Sequence, residues 1–179
     1  MILLNLFGGP GSGKSTLAAR IFSELKARGI NAELVSEYAK DKVYEENKTA
    51  LKNQLYLLAK QNYKIATCAD KVNVIVTDSP LLLSIIYNKN PILGKEFDKL
   101  VLKLSNSYDS LNIFIKRTHE FKSEGRVHSE DESDNISTQI LNLLNENNID
   151  YEIIPADLNL ANAICDTVIE KLQIEDSNL

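Results

Sequence analysis

Residues that could do chemistry gather in three places in this chain: a glycine-rich run with a lysine and a serine, two carboxylates that follow apolar stretches, and a basic segment further on. The first is Gly8-Gly9-Pro10-Gly11-Ser12-Gly13-Lys14-Ser15-Thr16. Gly8, Gly13, Lys14 and Ser15 meet the pattern GxxxxGK[ST], so the run reads as a phosphate-binding P-loop. Glycines let successive backbone N–H groups turn around phosphate oxygens, a helix starting near Lys14 aims its positive end at them, and Lys14 adds a mobile charge. Ser15 is then placed to hold a magnesium ion.

Asp78 ends the apolar run Val74-Ile75-Val76-Thr77. A carboxylate there supports magnesium, usually through its water shell. The next residue is Ser79, where an ATPase that activates water would carry a glutamate, so water activation is disfavoured. Glu37 follows a second apolar run, in Ser36-Glu37-Tyr38-Ala39. It either takes the proton of an acceptor hydroxyl attacking a γ-phosphate or is a solvated loop acid.

The basic segment runs from Lys116 to His128 and contains Arg117 and Arg126. Phosphoryl transfer spreads negative charge over equatorial oxygens, and a guanidinium can grip two of them at once. Arg117 and Arg126 are therefore candidates for closing over the transferred group, against the alternative of a solvated charge run. His119 and His128 read as surface histidines. Gln54 and Gln61, two helical turns apart, either read a base edge or mark a core boundary, and Tyr56 and Tyr63 form a similar pair. Pro155-Ala156-Asp157 is a weaker candidate for the wall of an adenine pocket.

These groups need a frame that brings them to one edge, and the apolar pattern supplies it. Strands are expected at Ile2 to Phe7, Asn31 to Ser36, Val72 to Thr77, Leu111 to Ile115 and Tyr151 to Ile154. Helical periods lie between them: Lys14 to Arg28 stopped by Gly29, Lys48 to Ala69, Leu81 to Tyr87, a helix through Phe97 and Leu104, one through Ile136 and Leu144, and one through Ala161 and Leu172. Alternation of this kind gives an α/β fold with a five-stranded parallel sheet, helices on both faces, and ligands at the C-terminal strand ends. Residues 116–133 are polar and without apolar period, which makes them a long connection of the kind that forms lids, placed at about 116–134. Glu175 to Leu179 reads as a frayed tail.

The 179 residues suit one domain, 1–179, and 44% hydrophobic with 25% charged residues is the balance of a soluble globular protein. A net charge of −5 counts against a broad nucleic-acid or membrane footprint. Cys68 and Cys165 are far apart and indicate neither a disulfide framework nor a zinc site. The first apolar run lacks a basic leader and enters the glycine run directly, so it is a core strand, and the expected compartment is the cytoplasm.

With Gly8 to Thr16, Ser36 to Ala39, Thr77-Asp78-Ser79-Pro80 and Gly125-Arg126 in view, the chain resembles the P-loop kinases of the nucleoside and nucleotide kinase group. It is most similar to small proteins with the kinase domain of nicotinamide riboside kinases, often phage-encoded and labelled as AAA-domain proteins. The resemblance implies a P-loop NTPase fold, ATP and magnesium as cofactors, and a hydroxyl or phosphate acceptor. Many nucleoside kinases have an aspartate-arginine pair after the third strand, whereas here Asp78 is followed by Ser79, which leaves nucleoside and nucleotide acceptors both open.

The expected activity is transfer of the γ-phosphate of ATP to a nucleoside, a nucleoside monophosphate or a related small metabolite, by a monomer or a homodimer. Two other readings stand beside it. One is a nucleotide-dependent switch in which ATP orders residues 116–133 against a macromolecular partner. The other is a kinase acting on nucleic-acid ends or on a base within DNA, a reading that the acidic balance disfavours.

Overall fold

Ile2–Phe7 forms the central strand β1, and all of its residues are buried. The nearly unbroken apolar run, interrupted only by Asn5, follows from that position, since β1 has a strand on each edge and helices over each face. The computed structural model describes residues 1–118, 120 and 129–177, with side chains described through residue 173. The other strands are β2 (Ala32–Val35), β3 (Val74–Thr77), β4 (Asp109–Lys116) and β5 (Glu152–Pro155). All pair in parallel in the order β2-β3-β1-β4-β5.

Alternation along the strands divides the core into two layers. Leu4, Leu6, Val74, Val76, Ile113 and Ile115 face one side, where α1 (Lys14–Ala27) and α8 (Ala161–Ser177) cover them with Leu17, Ile21, Cys165 and Val168. Leu3, Phe7, Ile75 and Phe114 face the other, against α4 (Gln54–Ala69), α6 (Gly94–Ser105) and α7 (Glu130–Glu146). The expected α/β architecture with helices on both faces is therefore present, and the strand ends that follow β1, β2, β3 and β4 lie along one edge. No helix among the described residues is long and apolar enough to cross a membrane.

Several elements depart from the sequence reading, and at two of them a side-chain cap explains the difference. The helix expected over Lys48 to Ala69 is split into α3 (Lys48–Leu51) and α4, because Asn47 accepts from the Ala50 N–H and Asn53 from the Tyr56 N–H. The buried stripe of α4 is then Leu57, Leu58, Gln61 and Ile65, while Leu55, placed on the stripe by its spacing, is 46% exposed. A short α2 (Tyr38–Tyr44) precedes them. The second departure is the connection after β4, which ends at Ser129. Ser129 and Glu132 form a capping box, so the acids expected in the lid are the first turn of α7, where they suit the positive end of the helix. At the C-terminus, α8 continues through Ser177 rather than fraying at Glu175.

Candidate functional site

The turn from β1 into α1 is built so that little besides glycine can occupy its first position. Gly8 has φ +144°, and a Cβ there would stand 2.8 Å from the Ile115 carbonyl oxygen and 2.5 Å from Ser12 Oγ. Lys14 arches back over the loop, its Nζ donating to the carbonyls of Gly8 at 2.8 Å and Gly9 at 2.9 Å. Ser15 and Thr16 open α1 on its exposed side. The buried Ser12 hydroxyl has no hydrogen-bond partner among the described residues, and a phosphate oxygen is a partner that suits such a loop.

The ends of β2 and β3 are tied together next to this loop. Thr77 Oγ1 donates to the Val35 carbonyl at 2.7 Å and accepts from the Ser79 N–H at 3.1 Å. Asp78, only 9% exposed, accepts the Glu37 N–H at 3.0 Å. Gln61 reaches in from α4: its Oε1 accepts the Tyr38 N–H at 2.9 Å and its Nε2 lies 3.4 Å from Thr77 Oγ1. The loop carrying Glu37 is thus held by backbone contacts at two successive residues, which leaves the carboxylate side chain itself available.

Electrostatics at Glu37 favour a proton acceptor with more basicity than an ordinary carboxylate. Partial burial raises its pKa above the usual value, Lys14 opposes that rise, and the neighbouring Asp78 carboxylate adds to it. Their effect on Glu37 puts the P-loop lysine and the β3 aspartate in one electrostatic neighbourhood with the β2 glutamate. Among the described residues no group of three or more His, Cys, Asp or Glu forms a metal site. Ser15 and Asp78 fit magnesium in the other way that ion is held, by one or two protein oxygens with phosphates and water completing the shell.

Two cavities flank this neighbourhood. One, of about 320 Å³, opens between α2, α4 and the residues after β3, with Glu37, Tyr38, Gln54, Ser79, Leu83 and Tyr87 among its walls. Glu37 is the one charged residue in the described lining, and no lysine or arginine takes part. Burial, helped by the nearby Glu37 carboxylate, pushes the Tyr87 hydroxyl up to about 12, so the ring presents a neutral phenol at ordinary pH. The other cavity, of about 290 Å³, lies against the opposite side of the loop, between Gly11, Gly13, Thr16, Ile115 and the Ala156-Asp157 pair after β5.

The structure brings most of the sequence-derived candidates to this edge. Gln54 and Gln61 both border the first cavity, but Gln61 uses its amide to brace the framework. Tyr56 reaches it only through Tyr38, hydroxyl to hydroxyl at 2.6 Å, and Tyr63 is 68% exposed elsewhere. Arg117 follows β4 and is engaged: its Nη2 binds Glu130 at 2.9 Å and Asp134 at 2.8 Å, both in the first turns of α7. Arg126, His119 and His128 lie outside the described residues. Tyr87, on the cavity wall, and Ser133, a buried serine of α7 whose Oγ donates to the Pro10 carbonyl of the loop at 2.6 Å, were not anticipated. Tyr87 lacked any spacing signal, whereas the Ser129-Glu132 box would have placed Ser133 in the first turns of a helix.

A glycine-rich turn from the central strand into α1, with a carboxylate at the end of the adjacent parallel strand, defines a P-loop protein of the nucleotide-binding type. The chain belongs to the AAA domain family, which matches residues 3–159. No curated protein matches it. Its fold is similar to that of a NadR protein solved in complex with NR, at a TM-score of 0.71 and 16% identity. That likeness covers 92% of this chain and 50% of the NadR chain, so this chain spans half the length of that one.

Proposed function

We propose that this protein is an ATP-dependent kinase that phosphorylates a hydroxyl group of a nucleoside-like small molecule. The observation that carries the proposal is the position of Glu37 on the wall of the 320 Å³ cavity, in the electrostatic reach of Lys14 and Asp78. A hydroxyl bound in that cavity meets a carboxylate of raised basicity on the side facing the P-loop. Ser79, at the place of a water-activating acid, supports transfer to a bound acceptor over hydrolysis.

In this reading Gly8 to Thr16 hold the donor phosphates by backbone N–H groups and Lys14 supplies the mobile charge. The cavity beside Ala156 and Asp157 suits the purine end of the donor. Ser15 and Asp78 would hold magnesium, which when bound neutralises phosphate charge. Glu37 accepts the proton of the attacking hydroxyl. Arg117 and Arg126 are the cations proposed to face the transferred group, and Arg117 takes that part only by leaving at least one of its two carboxylates on α7.

The lining also favours a nucleoside over a nucleotide. A phosphorylated acceptor brings about two negative charges that require a cation, and the described walls offer Glu37 instead. The fold shared with a NadR protein solved with NR is in keeping with that choice. ADP release measured over nucleosides, their monophosphates, nicotinamide riboside and short oligonucleotides tests the proposal. Stimulation by a nucleoside and not by its monophosphate is expected; nucleotide binding with no acceptor-stimulated ADP release would overturn it.

A further inference from the structure

The geometry points to Ser133, on α7, as a positioning residue for the phosphate loop. This rests on reading that loop as the donor site. Ser133 is 2% exposed, and its Oγ donates to the Pro10 carbonyl, at the crest of the loop, at 2.6 Å. Arg117 Nη1 approaches the same oxygen at 3.4 Å, on its accepting side, which leaves the single hydroxyl proton directed at Pro10. The ion pairs of Arg117 to Glu130 and Asp134 hold that turn of α7 from the outer side.

The contact is close enough to dictate the loop sequence. A Cβ on Gly9 would lie 2.5 Å from the Ser133 carbonyl oxygen and 2.4 Å from Ser137 Oγ. Gly9 is therefore glycine because α7 packs on it, a constraint separate from phosphate binding.

What this contact fixes is the plane of one peptide. Across a trans peptide the carbonyl oxygen and the following N–H point in opposite directions. Drawing the Pro10 carbonyl toward α7 turns the Gly11 N–H away from α7, and Gly11 borders the donor cavity. Donors set in advance toward a developing or bound anion bind it without reorganisation, so loss of the Ser133 hydroxyl should free this plane and weaken phosphate capture. Ser133 acts on the reaction through the loop and touches neither substrate.

Titration with ATP and with a fluorescent N-methylanthraniloyl ADP separates this role from ordinary packing. Ser133→Ala should raise both dissociation constants about tenfold, the loss of one well-placed hydrogen bond, with the KM of the acceptor unchanged. Ser137→Ala, which removes only a bond to the Ser133 carbonyl at 2.9 Å, should stay within about twofold of the native protein. Ser133→Cys replaces the hydroxyl by a bulkier thiol that is a weaker donor and should fall between them, which keeps the test open if the alanine variant does not fold. Nucleotide affinity within twofold of native in Ser133→Ala or Ser133→Cys, or equal losses in the Ser133 and Ser137 variants, would overturn the inference. Native protein that binds both nucleotides and transfers phosphate to no acceptor would instead sink the kinase reading, while the Ser133 comparison would still be decided by the affinities.

Discussion

The two cavities on either side of the Lys14 and Glu37 pair are made of different material. On the proposed donor side the wall next to the loop is made of glycine and other small residues, Gly11, Gly13, Thr16 and Ala156, set by the turn from β1 to α1 and by the end of β5, with Leu17, Ile115, Asp157 and Leu158 completing it. On the acceptor side they are side chains of α2, α4 and α5 (Leu83–Tyr87), with Tyr38, Gln54 and Tyr87 carrying the polar groups. A backbone cradle recognises a ligand common to many proteins and tolerates little change. A side-chain cavity can be refitted one residue at a time, so on the proposed kinase reading the choice of acceptor belongs there.

The largest effect should come from the P-loop lysine. Lys14→Ala removes the cation that lies over the loop and should reduce turnover by at least ~10³-fold, the scale of losing a principal electrostatic contact to the transferred group. Steady-state ADP release measures it. Turnover near that of the native protein would mean that the donor side does not depend on Lys14, and the comparison would collapse.

Glu37→Gln attacks the boundary between the two sides and should reduce turnover by about 10²-fold or more. Its pH dependence carries a sign. Because the folded-state pKa of Glu37 is raised, its contribution to stability is fully present below the unfolded value of 4.5 and is lost as pH rises through the folded value. At neutral pH the ionised carboxylate therefore works against folding, and the glutamine variant should melt higher than the native protein while being nearly inactive. In the native enzyme kcat/KM for the acceptor should fall on acidification from a pH above the ordinary carboxylate range, and this limb should be absent from the residual activity of the variant. A lower melting temperature at neutral pH, or an unchanged acidic limb, would remove Glu37 from the role of base.

The same division explains what the sequence makes legible. Gly8 to Thr16 could be read because backbone geometry constrains residue type directly, and Asp78 and Glu37 could be placed beside it because a parallel sheet gathers its strand ends. The α2 helix could not, since none of its residues is buried and it leaves no apolar period. The breaks at Asn47 and Asn53 and the start of α7 at Ser129 were written in capping residues rather than in hydrophobicity. Arg117 shows a further limit: basic and acidic residues were both visible between Lys116 and Asp134, but which pairs form depends on where α7 lies over the loop.

Gln61 tests whether the acceptor side is built as well as lined. Gln61→Leu keeps the apolar burial of α4 and deprives the part-buried Tyr38 N–H of its acceptor, which should cost about 1 kcal/mol of stability, the scale of one lost hydrogen bond. The loosened loop carries Glu37, so acceptor KM should rise about tenfold while nucleotide affinity stays within twofold. Thermal melting with the two binding measurements decides it. Equal losses for nucleotide and acceptor would show that the two sides are not separable at this residue.

The smallest expected effect sharpens the comparison at its edge. Tyr38 and Tyr56 meet edge to face, with ring centroids 5.8 Å apart, and share a hydroxyl hydrogen bond of 2.6 Å that is the main reason the Tyr38 pKa is raised. Lys42 stands 5.0 Å from the first ring and Lys60 5.8 Å from the second, contacts that a phenylalanine would keep. Tyr56→Phe removes the shared bond, and Tyr38→Phe removes it together with a hydrogen bond to Lys42, so both should raise acceptor KM by only about two- to fourfold, the effect of one or two modest hydrogen bonds, and leave nucleotide affinity unchanged. Because only Tyr38 lines the cavity, a much larger effect at Tyr38 than at Tyr56 would mean that its hydroxyl touches the acceptor itself. Matching small effects would confine the pair to holding α2 against α4.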